Sequence, residues 1–139
     1  MIDIFVSGVP QPKGSTRAFV VKGRPIITST NRGVKSWEDT IRHALGMASI
    51  DLVKGPVMVN LWFTLPQPAS RAPKPKSKDP FKRNPVPDTK PDLDKLARAC
   101  LDAMNKVAFE DDARVVSLVV SKTYGDPVGV HIVVGGHEG

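Results

Sequence analysis

A chain of 139 residues, 40% of them apolar, is sized for one compact domain with a single modest core, and it excludes two full domains. Its 20 lysines and arginines against 14 acidic residues leave a formal net charge of +6, which favours an anionic partner such as nucleic acid over an acidic protein or a neutral metabolite. One cysteine, Cys100, excludes an internal disulfide; no signal-like N-terminus and no apolar run of the ~18 residues needed to span a bilayer is present, so the expected setting is cytoplasmic, with no membrane role.

Ile2, Ile4 and Val6 alternate with Asp3, Phe5 and Ser7, the period of a strand with one buried face, and Gly8 and Pro10 end it. The basic segment Pro10-Gln11-Pro12-Lys13-Gly14-Ser15-Thr16-Arg17 follows. Ala18 to Val21 and Pro25 to Thr28 then flank Gly23-Arg24 as a short hairpin, or as an ordinary surface turn. From Ser36 to Ala48, Trp37, Ile41, Leu45 and Ala48 recur at helical spacing with Glu38, Asp39 and Arg42 opposite, which predicts an amphipathic helix. Val57, Val59, Leu61, Phe63 and Leu65 form the most regular strand pattern in the chain, stopped by Pro66. Trp37 and Trp62 are expected to pack in the core or on a face.

Eight of the 13 prolines fall between Pro66 and Pro91, interleaved with Arg71, Lys74, Lys76, Lys78, Lys82, Arg83 and Lys90. Such a stretch cannot bury enough apolar surface to fold alone, so it reads as a mobile basic loop. Its cations suit a sugar-phosphate backbone, where each neutralised phosphate releases a counterion; a solvated linker is the alternative. Leu93, Leu96, Ala97, Cys100, Met104 and Val107 place one apolar stripe on a second helix from Asp92 to Lys106, which makes Cys100 a core residue. Two β-branched strands, Ala113 to Tyr124 and Val128 to Val134, close the chain around Gly125-Asp126-Pro127. The expected fold is a small α/β (α+β) single domain in which two helices pack on one mixed sheet, its strand order open.

Six of the 14 acidic residues lie between Asp92 and Asp112, namely Asp92, Asp94, Asp102, Glu110, Asp111 and Asp112, in an otherwise basic protein. Carboxylates facing DNA phosphates are unfavourable unless a cation lies between them, and hard divalent ions such as magnesium take carboxylate, water and phosphate oxygens. Asp92 and Asp94 flank Leu93 at the start of the second helix, and the Asp111-Asp112 corner precedes a strand that returns toward it. Which of Asp111 and Asp112 ligates stays open. Asp92 or Asp94 could equally serve as an N-cap or dipole partner, and Asp111-Asp112 as a polar turn. Asp102 reads as an ion-pairing residue with Arg98. His43, His131 and His137 have no metal-ligand spacing.

The run Lys90-Pro91-Asp92-Leu93-Asp94-Lys95-Leu96-Ala97-Arg98, continued by Leu101-Asp102-Ala103-Met104 and by Val107-Ala108-Phe109-Glu110-Asp111-Asp112-Ala113-Arg114-Val115-Val116, resembles the signature of RusA-type Holliday-junction resolvases. The segment from Pro10 to Arg17 also resembles the basic element of phage-type members, and a phage-infected or bacterial cell is the setting this suggests. The resemblance implies a homodimeric endonuclease that binds branched, four-way DNA and nicks two opposed strands near the crossover. It implies a metal-binding acidic set of Asp92, Asp94 and Asp112, with Asp111 a further candidate, holding one or two Mg2+ ions for which Mn2+ can substitute, and no small-molecule cofactor.

Two positions depart from the family pattern: the functional lysine is Arg98 here, and Lys95 replaces an asparagine. Arginine can clamp a phosphate and stabilise developing charge but cannot readily shed a proton, so Arg98 is assigned charge stabilisation with Lys95 nearby. Lys13, Arg17, Lys95 and the loop cations Lys74, Lys76, Lys78, Lys82, Arg83 and Lys90 are the expected DNA contacts. The competing readings are a non-catalytic basic DNA-binding module, a Mg-dependent nuclease acting on other DNA or RNA structures, and a purely structural or interaction domain.

Overall fold

Alternating strands and striped helices must bury their apolar sides against one another, and in the computed structural model they do so around a single core. The structure describes residues 1–14, 33–48 and 51–137 in full and the backbone of residues 16–21 and 24–29. Among the described residues there are six strands: β1 (Ile2–Ser7), β2 (Thr16–Val21), β3 (Arg24–Ser29), β4 (Val57–Leu65), β5 (Val115–Tyr124) and β6 (Gly129–Gly136). The helices are α1 (Val34–Met47), the single turn α2 (Pro80–Arg83) and α3 (Leu93–Met104). A four-stranded mixed sheet has the order β1-β6-β4-β5, with β4 antiparallel to β6 and parallel to β5, while β2 and β3 form a separate antiparallel hairpin.

The sheet is apolar on one side. Val57, Val59, Leu61, Phe63 and Leu65 of β4, Val130, Ile132 and Val134 of β6, and Ile2 and Val6 of β1 are buried in one cluster with Trp37, Ile41 and Leu45 of α1 and Leu96, Cys100 and Met104 of α3. β4 lies centrally yet alternates instead of running continuously apolar, because its other side, with Asn60, Trp62 and Thr64, is only partly covered. On that side Trp62 stacks at 5.0 Å on His131, whose Nε2 lies 2.6 Å from Asp3. Thus Trp37 is a core residue and Trp62 a face-packing one.

Both long helices and all six strands expected from periodicity are present, with ends shifted by a few residues. The shift at β5 has a local cause. Asp111 Oδ1 accepts the Ala113 N–H at 2.8 Å and holds Asp112–Arg114 in a 3-10 turn, so the strand begins at Val115. The proline-rich stretch is also more structured than its composition predicts. Arg71 donates to Val86 O (2.7 Å) and pairs with Asp88, Arg83 donates to Ser77 O (2.9 Å), and Lys74 N–H meets Lys82 O (2.8 Å) around α2, so charged side chains and backbone supply the order that an apolar core does not.

β1 ends at Gly8, whose φ of +141° suits glycine and whose missing Cβ leaves room for Trp37; a Cβ there would lie 2.9 Å from the indole. Cys100 is wholly buried, and burial, with Glu38 nearby adding to it, pushes its thiol pKa far upward. Iodoacetamide at pH 8 is therefore expected to leave the folded protein unmodified and to label Cys100 at the rate of a free thiol once urea has unfolded it. Labelling of the native state at a free-thiol rate would show that α3 does not pack as described.

Candidate active site at the start of α3

The site is built where α3 begins and where the chain after α3 returns to the sheet. Asp92 holds the N-cap position with extended φ and ψ, yet its carboxylate makes no capping hydrogen bond. It lies instead 3.7 Å from Lys95 Nζ, which separates this residue from the ordinary capping role. Leu93 is half-buried, and the exposed Asp94 in the first turn has no cation partner among the described residues. Asp94 and Arg98, one turn apart on α3, open with Leu118 and Val120 of β5 onto a cleft of about 480 Å³.

The returning corner is fixed by its backbone. Beyond α3, Lys106 takes the left-handed conformation (φ +65°) and its N–H meets Phe109 O at 2.8 Å. Phe109, fully buried, forms backbone bridges with Val53 and Asn105, and Asn105 Oδ1 accepts the Asp112 N–H at 3.1 Å. Asp112 is thereby turned to α3, where it pairs with the Arg98 guanidinium. Asp111 points back into its own turn, and the Ala113 N–H holds its carboxyl below the usual carboxylate range, with Asp112 adding to the effect. The two neighbouring aspartates therefore have different local tasks.

Arg98 also lies 3.1 Å from Asp102, which in turn lies 3.1 Å from Lys13. Lys13 Nζ donates to the buried Glu38 of α1 at 2.9 Å, and Arg42 closes on Glu38 at 3.3 Å. Glu38 foremost, and Asp102, raise the Lys13 pKa against a partial opposition from burial. The Lys13 backbone N–H also meets Lys95 O at 2.9 Å, so the N-terminal basic segment is tied to α3 at its first turn and, through Asp102, at its last. Asp102 is an ion-pairing residue, as its helical spacing predicts, with Lys13 as an added partner.

The structure brings Asp112 onto the Arg98 guanidinium beside Asp102, while Asp94 shares with Arg98 the lining of the cleft, and Asp92 and Lys95 pair at the helix start. Lys74, Lys76, Lys78, Lys82 and Lys90 are exposed on the proline-rich segment, whereas the Arg83 guanidinium is tied to its own loop. Arg17 lies on β2, and its side chain lies outside the described residues. Three contributors were missed by sequence reasoning: Asn105, Glu38 and Lys122. Lys122 donates to Thr89 O and Pro91 O, both at 2.8 Å, and so holds the chain entering Asp92. A signal existed for it: Lys122 stands at the inward parity of Leu118 and Val120, where a cation needs a reason.

Carboxylates alone make a donor set suited in kind to a hard divalent cation. Among the described residues of this single chain, however, no three Asp, Glu, His or Cys side chains gather into a group able to hold a metal ion. Arg98 holds an Asp112 oxygen that a metal would need, so the donors fit by chemistry while the set is not closed within one chain.

The family model described as endodeoxyribonuclease RusA matches residues 8–135, nearly the whole chain. The chain belongs to the RusA family. A Bacillus subtilis (strain 168) protein named Uncharacterized protein YqaN is 32% identical over 84 residues, which is 60% of this chain and 59% of that protein. The chain thus spans 59% of the length of the relative it matches. The family match covers the acidic stretch, the basic N-terminal segment and the proline-rich loop together. No helix among the described residues is long and apolar enough to cross a membrane.

Proposed function

We propose that this RusA-family chain is a structure-selective DNA endonuclease that resolves four-way junctions by paired, metal-dependent nicks, acting as a homodimer in the cytoplasm. The observation that carries the reading is the convergence of α3's first turns and the Asp112 corner on Arg98, two stretches of chain meeting beside a cleft in a chain matched to an endodeoxyribonuclease family. Asp92, Asp94 and Asp112 are the carboxylates proposed to hold Mg2+, with Mn2+ able to substitute. The chemistry such an ion would supply there is a lowered pKa for a bound water and polarisation of the scissile phosphate.

The chain's own groups do the rest. Arg98, released from Asp112 as DNA enters, clamps a phosphate oxygen and offsets charge as it accumulates in the transition state, an electrostatic role worth about 3–4 kcal/mol where single donors have been removed from other enzymes. Lys95 stands beside it. Lys13, committed to Glu38 and Asp102, anchors the basic segment so that Arg17 can reach the DNA, and the exposed loop lysines bind backbone phosphates. Val116, Leu118 and Val119 leave an apolar rim on edge strand β5, which supports a second copy and with it the second nick.

Nicking of a synthetic mobile four-way junction, with and without Mg2+, tests the reading. The expected result is two symmetric nicks near the branch with Mg2+, none in chelator, and far slower cutting of linear duplex, single strands and RNA. Equal cutting of duplex would keep the nuclease and remove the junction. The closure of Arg98 on Asp112 favours a second reading, a non-catalytic DNA-binding module, and that reading predicts junction binding with no nicks in any divalent cation.

Loop contact with phosphates has its own measurement. Replacing Lys74, Lys76 and Lys78 by alanine is expected to lower the slope of log affinity against log salt by about 1 per phosphate contact removed, and to weaken binding to all sequences alike. An unchanged slope would leave these lysines as solvated linker residues.

A further inference from the structure

A second cleft, of about 290 Å³, is lined by the segment entering Asp92, and of the groups assigned above only Lys90 borders it. Five proline rings, Pro10, Pro66, Pro68, Pro87 and Pro91, wall it together with Leu65 and the half-buried Tyr124. Its walls are held from outside: Lys122 grips Thr89 O and Pro91 O, and Arg71 grips Val86 O. Proline rings have no rotamers to lose, so the cavity is preformed at little further entropic cost. Its volume is at the small end of the roughly 300–1,000 Å³ usual for ligand sites.

The lining selects the occupant. Apolar, flat walls and one aromatic ring suit a planar ring system, and among the described residues the one charged lining residue is the exposed cation Lys90. Gln67 and Thr89 add polar groups; the Gln67 amide nitrogen is committed to Arg71 O at 2.8 Å, which leaves its carbonyl oxygen to meet a ring N–H. Pro91 in the wall is the residue before Asp92, so a ligand here would be attached to the strand whose phosphate reaches the carboxylates. A base is cheapest to unstack where its stacking is already interrupted, as it is in an opened, unstacked branch.

We infer that this cleft receives one nucleobase swung out of the stack at the branch, laid against Tyr124 and the proline rings, with Lys90 on the adjoining phosphate. The inference rests on the junction-nuclease reading and adds to it the means by which the strand is held in register for cutting. Tyr124 and Lys90 are then positioning residues, since neither touches the bond that breaks.

Four-way junctions carrying 2-aminopurine in turn at each branch position are bound in chelator, where nothing is cut, by the wild type and by Thr89→Trp. Thr89 is exposed and keeps its carbonyl for Lys122 in the variant, while the indole fills the cleft. The expected result is a severalfold rise in fluorescence at one position with the wild type and none with Thr89→Trp. With unaltered protein, an abasic sugar at that position is expected to weaken binding about tenfold, the loss of one stacked base. The same lesion should cost Thr89→Trp nothing further.

An equal fluorescence rise in Thr89→Trp, or no rise and no abasic penalty in the wild type, overturns the inference. So does a change in oligomeric state in Thr89→Trp, which would give the cleft to a second copy of the chain. The two readings fail separately: Mg2+-dependent junction nicking with no fluorescence response removes the base cleft alone, and a fluorescence response with no nicking removes the nuclease alone.

Discussion

Asp94→Asn is expected to abolish nicking of a four-way junction, by at least about a hundredfold, while the junction still binds. Outer-shell partners of metal ligands commonly cost about 10–100-fold when removed, and loss of a direct ligand costs more. Binding should persist, and even tighten, because Asp94 is exposed without a cation partner among the described residues and a carboxylate so placed repels an approaching phosphate. Asparagine keeps the shape and removes the charge, so folding should be unaffected, with the thermal midpoint as the control. Arg98→Lys serves as a companion: it keeps a cation beside Asp112 but loses the paired donors, and partial activity is the expected result. Nicking by Asp94→Asn at the wild-type rate would end the metal assignment.

Phe109→Ala is expected to lower stability by about 3–5 kcal/mol, a large share of the 5–15 kcal/mol typical of a folded domain. Phe109 is fully buried, and its backbone joins Val53 on one side and Asn105 on the other. Asn105 in turn positions the Asp112 N–H. The substitution therefore strikes the core and the corner at once: a fall of roughly 10–20 °C in the thermal midpoint is expected, together with loss of nicking at temperatures where the variant is still folded. Phe109→Leu should recover much of both. A midpoint within a degree or two of wild type would mean that the corner is held by something other than this ring.

Lys13 shows where a sequence argument stops. A lysine in a basic, proline-flanked segment reads as a phosphate contact, because spacing reports only neighbours along the chain. Its actual neighbours are Glu38, 25 residues on, and Asp102, on another helix. The same limit applies to Asp111 and Asp112. Adjacent in sequence, they differ because one accepts the Ala113 N–H while the other is turned by Asn105 toward Arg98, and no local pattern encodes that division.

What the sequence by itself determined was periodic or compositional: the β4 alternation, the apolar stripes of α1 and α3, the hairpin, the acidic run in a basic chain, and the motif that places it in the RusA family. Each follows from the 2.0- and 3.6-residue repeats, which a few neighbouring residues suffice to set. Only the tertiary structure decided that β5 is an edge strand parallel to β4, that Lys122 reaches across to the entry of α3, and that Arg98 meets Asp112. Those arrangements depend on side chains far apart in the chain meeting at distances of about 3 Å, where burial and charge pairing, which carry no periodic signal, decide the partner.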